Sequence, residues 1–95
     1  LLLLILNYII IYIIRRKEEG LLMIKNGNNI IIKGEYITLG QLLKFLDLVN
    51  TGGEEKSYLA DNEVLFNGVR EERRGKKLRD KDVVTIAGVS YTICV

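Results

Sequence analysis

TLGQLLKFLDLVNTGGEEKSYLAD, residues 38–61, carries two helix starts in close succession. A Thr at a helix N-cap accepts from the third helical N–H, and a Gln or Glu at that third position can reach back to the cap's own N–H. Thr38 with Gln41 fits this capping box, and Thr51 with Glu54 repeats it. Behind Thr38, the residues Leu39, Leu42, Leu43 and Leu46 follow the i, i+3, i+4, i+7 spacing of one buried stripe, with Gln41, Lys44 and Asp47 off it. The spacing predicts a helix from Thr38 whose stripe ends near Val49. The second helix is short, from Thr51 through Lys56 and Leu59 to about Asp61, where Asp61 and Asn62 stop it.

Extended structure is expected on both sides of this pair. Upstream, the turn signal Asn26 to Asn29 is flanked by apolar residues, and Ile30 to Ile32 with Tyr36 and Ile37 form short extended pieces around Lys33 and Gly34. Downstream, Glu63 to Asn67 alternates as a strand, and Asn67-Gly68 is a dipeptide favoured in tight reversals. A basic stretch follows. Val83 to Ala87 is a β-branched run, Gly88 offers a turn, and Val89 to Val95 closes as a last strand. The expected order is strand, helix, helix, strand, basic loop, strand, strand, an α+β arrangement.

A chain of 95 residues buries roughly 60–65% of its unfolded surface, enough for one modest core. His, Pro and Trp are absent and Cys94 is the single cysteine, so His-based acid–base chemistry, Cys/His metal sites and an internal disulfide are excluded by inventory. An enzyme would have to work with carboxylates, lysines or tyrosines alone, and no spacing singles out a carboxylate pair among Glu54, Glu55, Asp61 and Asp82. A nucleotide-binding P-loop fails too, because six residues separate Gly68 from Gly75 and no Gly-Lys-Ser or Gly-Lys-Thr follows. Neither a catalytic role, a cofactor, a metal nor a small-molecule substrate is expected. Cys94 reads as a small core residue, and its isolation suits a reducing cytoplasm.

Net charge is only +2, but 7 of the 14 Lys and Arg residues fall within positions 70–81, which carry +4 while everything else sums to −2. One positive pole of this kind steers an anionic partner. The other anomaly is apolar. Residues 1–14, LLLLILNYIIIYII, end abruptly at Arg15, Arg16 and Lys17. Spanning a bilayer as a helix takes about 20 residues. Three readings stand for residues 1–22: a start placed upstream of Met23, a truncated membrane anchor, or an ordered segment packing on the domain. The working domain is taken as residues 23–95.

The run TLGQLLKFLDLVNTGGEEKSYLADNEVLFNG, residues 38–68, followed by RRGKKLRDKD, residues 73–82, resembles the S4-like RNA-binding domain. More narrowly it is similar to the stand-alone YaaA family of short bacterial proteins. The combination Thr51-Gly-Gly-x-x-Lys56, then Val64-Leu-x-Asn-Gly68, then Arg73-Arg-Gly-Lys-Lys-Leu78 with Asp82 carries the likeness. It implies the alpha-L motif, two helices packed on a small, mostly antiparallel sheet, with RNA held by the second helix and the neighbouring loop. Position by position it implies RNA contacts from Gly52 and Gly53, from Lys56, and from Arg73, Arg74, Lys76 and Lys77. Three departures stand out. The broader domain commonly has Ser-Arg where this chain has Thr51-Gly52, a small residue at Glu55, and Gly at Lys81.

The chemistry of these residues agrees with that assignment without requiring it. A helix start leaves N–H groups unpaired and favours an anion. Gly52 and Gly53 would expose those groups, or they merely permit the turn between two helices. Glu54 weighs against an anion if its own carboxylate occupies the helix start. Arg73 and Arg74 can each grip a phosphate with two parallel hydrogen bonds, or the loop is only a solvated surface; surface pairs from Glu71 and Glu72 would orient these arginines and are too weak to quench the site. The basic loop contains no aromatic residue, and Tyr58 and Phe66 are assigned to the core. Recognition of a folded RNA, ribosomal or transfer RNA, through its backbone with little base readout is therefore expected. The competing function is a protein-interaction module whose basic loop docks on an acidic partner.

Overall fold

The computed structural model describes residues 23–95. The readings offered for residues 1–22 lie outside them. Strand β1 (Met23–Asn26) and strand β2 (Asn29–Ile32) pair antiparallel across a turn in which Gly27 takes φ 60°. The NGNN signal thus marks a hairpin. Strand β3 (Tyr36–Thr38) runs straight into helix α1 (Leu39–Phe45), and helix α2 (Gly52–Asp61) follows. The remaining strands are β4 (Val64–Phe66), β5 (Val69–Arg70), β6 (Lys77–Arg79), β7 (Val83–Ile86) and β8 (Val89–Cys94).

Six strands make one sheet in the order β1-β2-β8-β7-β4-β5. Its pairs are antiparallel except β2 with β8, which run parallel with Ile30 opposite Ile93. Strands β3 and β6 form a separate antiparallel ribbon, Tyr36 opposite Arg79 and Thr38 opposite Lys77. The expected α+β class holds: the described residues form two helices and a mostly antiparallel sheet. The core takes one face from every element except β5: Met23, Ile30 and Ile32, Ile37, Val64, Leu78, Val84 and Ile86, Ile93, and the helical residues Leu39, Leu42, Leu43 and Leu59. Each such side chain contributes about 1.5–3 kcal/mol by leaving water.

Three local expectations need correction. Helix α1 ends four residues before Val49: Leu46 is its C-cap and Asp47 turns left-handed at φ 59°. Leu48 N–H then donates to Leu43 O (3.1 Å) and Asp47 N–H to Lys44 O (3.0 Å), the double closure of a Schellman motif with Asp in place of the usual Gly. The buried surface of α1 is also wider than one stripe, since Phe45 is fully buried. Finally, the basic stretch is not all loop. Leu78 is buried between exposed Lys77 and Arg79, the period-2 alternation of a strand that the dense charge obscured.

Candidate nucleic-acid interface

The basic loop is held against α1 by its backbone. A helix start leaves four N–H groups without intrahelical partners. At α1 all four are taken. Thr38 N–H donates to Gln41 Oε1 (2.8 Å) and Gln41 N–H to Thr38 Oγ1 (3.2 Å), completing the predicted capping box. The other two reach the loop: Leu39 N–H donates to Lys76 O (2.9 Å) and Gly40 N–H to Arg74 O (2.8 Å). Within the loop, Lys76 N–H donates to Arg73 O (3.1 Å) and closes the turn around Gly75. Gly40 makes this approach possible. A Cβ there would strike the Glu55 carboxylate and come within 3.3 Å of Arg74 O.

The start of α2 is built differently. Thr51 Oγ1 accepts from Glu54 N–H (3.1 Å), as the sequence predicts, but Glu54 Oε2 accepts from Asn50 N–H (3.0 Å) instead of closing a box on Thr51. Among the described residues no acceptor takes the Gly52 or Gly53 N–H. Neither glycine is left-handed, so backbone conformation does not require glycine at either position. Gly52 instead makes room for Arg74, whose Nη1 donates to Gly52 O (2.8 Å) and would lie 2.6 Å from an added Cβ. Above Gly53 the space is open, a Cβ meeting nothing closer than Thr51 Oγ1 at 3.9 Å. Lys56 is exposed and lies one turn after Gly52, on the same side of the helix.

Arg73 is tied to a partner that the sequence places on the surface. Glu71 is buried, and its carboxylate accepts from Arg73 Nε (3.0 Å) and Nη2 (2.9 Å) and from the N–H groups of Glu72 (3.1 Å) and Arg73 (3.2 Å). The forked bond to Arg73 holds its pKa down at about 2, burial opposing the shift and the backbone donors adding to it. Glu71 in turn raises the pKa of Arg73. The Glu71–Arg73 pair therefore shapes the loop. Arg73 is nevertheless 74% exposed and presents its outer edge to solvent. Glu72 also forms a surface pair, but with Arg70 (Nε at 3.1 Å) and not with Arg73 or Arg74.

The last two loop cations rest on aromatic rings. Lys76 Nζ lies 4.6 Å from the centre of the Phe66 ring, and Lys77 Nζ lies 4.8 Å from that of Tyr36. Arg79 stands over the same Tyr36 ring at 5.3 Å. The expectation that the basic surface lacks aromatics holds along the chain but fails in space. Tyr36 arrives from β3, across the ribbon.

The family model of the S4 domain matches residues 30–94. The chain belongs to the S4 domain family. It is also similar to a Bacillus subtilis (strain 168) protein described as "Probable ribosome maturation protein RlbA", 49% identical over 62 residues that cover 65% of this chain and 87% of that one. No solved structure gives a significant match.

Within this S4 domain the departures at Glu55 and Lys81 have structural accounts. Glu55 is buried over Gly40 and pairs with Lys44 (Nζ to Oε2, 3.4 Å), so the larger residue on α2 fits because α1 carries no side chain opposite it. Lys81, where Gly is common, keeps the left-handed turn at φ 73°. Around it Asp82 Oδ2 accepts from Arg79 N–H (2.7 Å) and Asp82 Oδ1 from Asn67 Nδ2 (3.1 Å), while Asn67 Oδ1 accepts from Val83 N–H (2.8 Å). The Asn67 and Asp82 side chains of the motif thus lock the base of the basic stretch.

Of the seven residues predicted as the site, Gly52, Lys56 and Arg74 gather along one side of α2, with Gly53 beside them. Arg73 and Lys76 line the loop, and Lys77 leads away onto the ribbon. The residues that position them but were missed are Gly40, Glu55 and Glu71, and Tyr36 was missed as a neighbour of the basic stretch that includes Arg79. The signal for that neighbour was the alternation around Leu78. Among the described residues, no helix is long and apolar enough to cross a membrane, and no group of His, Cys, Asp or Glu is placed to hold a metal ion.

Proposed function

We propose that this S4 domain binds structured RNA, ribosomal or transfer RNA, in the cytoplasm and in the service of ribosome assembly or translation, as a binding module without catalysis. Phosphates are held by Arg73, Arg74, Lys76, Lys77 and Lys56 and by the N–H groups of Gly52 and Gly53, which no acceptor among the described residues takes. The observation that carries this reading is the Arg74–Gly52 contact. It sets a guanidinium beside the helix-start donors Gly52 N–H and Gly53 N–H, and oriented N–H groups next to a cation favour a phosphate. The ribosome-maturation description of the Bacillus subtilis relative supports the choice of RNA. With about five phosphates engaged, log affinity for a folded RNA falls with log salt at a slope of about −4. Absence of binding at low salt contradicts the proposal, and tighter binding to an acidic protein than to RNA favours the interaction-module reading.

A further inference from the structure

The ribbon of β3 and β6 has two faces of opposite character. Ile37 and Leu78 point into the core, while Tyr36, Lys77 and Arg79 share the outer face. Tyr36 is 40% exposed although its ring is large and apolar. It stands directly opposite Arg79, and the paired strands hold it on a fixed backbone. Lys77 follows Lys76 without a break, so this face continues the surface that begins at Arg73. An exposed ring flanked by two cations on a rigid ribbon is the combination that receives a nucleobase: the ring stacks on the base and the cations take the flanking phosphates.

Resting on the RNA-binding reading above, the geometry points to the outer face of the β3–β6 ribbon as a site for an unpaired nucleotide adjoining the RNA duplex. The base stacks on Tyr36, and Lys77 and Arg79 neutralise the phosphates on either side. In the free protein the two cations rest on the ring. An exposed cation–π contact is weaker than base stacking supplemented by phosphate pairing, so a nucleotide displaces them. The ligand is thus a folded RNA with a single-stranded extension or a bulge, and the protein reads the junction as well as the backbone.

The test uses the 95-residue chain and two RNA hairpins of identical stem, one blunt and one with a four-nucleotide single-stranded tail containing 2-aminopurine. The tailed hairpin binds more tightly to the unaltered protein, and binding quenches the 2-aminopurine fluorescence. Tyr36→Leu lowers affinity for the tailed hairpin about 5- to 100-fold and abolishes the quench, while leaving the blunt hairpin within about twofold. Tyr36→Phe keeps both properties, which separates the ring from the hydroxyl and from any general loss of fold. Equal binding of both hairpins by the unaltered protein, with Tyr36→Leu without effect on either, overturns the stacking site and leaves the phosphate surface standing. Failure to bind either hairpin at low salt overturns both.

Discussion

The two helices of this S4 domain begin with the same sequence device and end up in opposite states. At α1, Thr38 and Gln41 close a complete capping box, and the carbonyls of Arg74 and Lys76 take the two remaining donors. At α2, Thr51 caps one donor, Glu54 is drawn away to Asn50, and the Gly52 and Gly53 N–H groups meet no acceptor among the described residues. The closed start is spent on architecture, because it fixes the basic loop. The open start receives the product of that fixing, the Arg74 guanidinium at Gly52 O. A motif of two similar caps therefore divides into a mount and a candidate docking point, and the difference lies in what the rest of the chain brings to each.

Obstructing the closed start should have the largest effect. Gly40→Leu places a side chain into the Glu55 carboxylate and the Arg74 carbonyl, and overpacking of this kind costs about 1–3 kcal/mol. Denaturant unfolding measures that loss, and RNA affinity should fall with it because the loop loses its mount.

The next effect concerns the loop itself. Glu71→Gln weakens the fork to Arg73 and should cost about 1–2 kcal/mol at neutral pH, less than the full shift implies because the pair borders water. The sign is fixed by the lowered pKa, about 2 against 4.5. A carboxyl that ionises more readily when folded contributes stability above about pH 4.5 and loses it as the pH falls toward 2. Thermal melts from pH 6 to 2 should show the two proteins converging in acid. The same pair makes Arg73→Ala a poor probe of binding alone: it strips a partner from a buried carboxylate and should lower thermal stability as well as RNA affinity.

The caps give a direct contrast. Thr38→Ala should cost about 1–2 kcal/mol and Thr51→Ala about 0.5–1 kcal/mol, since only the first dismantles a reciprocal box. Equal losses by urea denaturation would remove the distinction between the starts. The smallest effect has the opposite sign. Gly53→Ala adds a methyl into open space on a helix, which should raise stability by up to about 0.5 kcal/mol while lowering RNA affinity by covering the donors. A rise in both would mean that no phosphate approaches there.

Much of this organisation was legible in the sequence because it is local. Thr38 and Gln41 are three residues apart, the leucines of α1 recur at helical spacing, and the Asn67-Gly68 turn announces itself. The charge pole was equally visible. What escaped depends on contacts between distant residues. Gly40 looks like an unfavourable helix residue until Glu55 and Arg74 are brought over it. Glu71 looks like a surface acid until β4 accepts its N–H through Val64 O and buries it. Tyr36 joins the basic surface only because β3 pairs with β6, and β6 was hidden by the charges on either side of Leu78. Lys81 in a left-handed turn follows no local preference of lysine and is imposed by the Asn67–Asp82 lock around it.

The claim that the open start of α2, flanked by Arg74 and Lys56, is the phosphate-holding centre is tested most directly by the salt dependence of RNA binding in Lys56→Ala with Arg74→Ala. Each lost phosphate contact reduces the slope by about 1. The double variant should therefore bind a folded RNA with a slope of about −2 in place of about −4, and should lose no more than about 5 °C in melting temperature, since both side chains are exposed and only the Arg74–Gly52 hydrogen bond goes. An unchanged slope in a protein of unchanged melting temperature would contradict the account and move the RNA surface elsewhere on the domain.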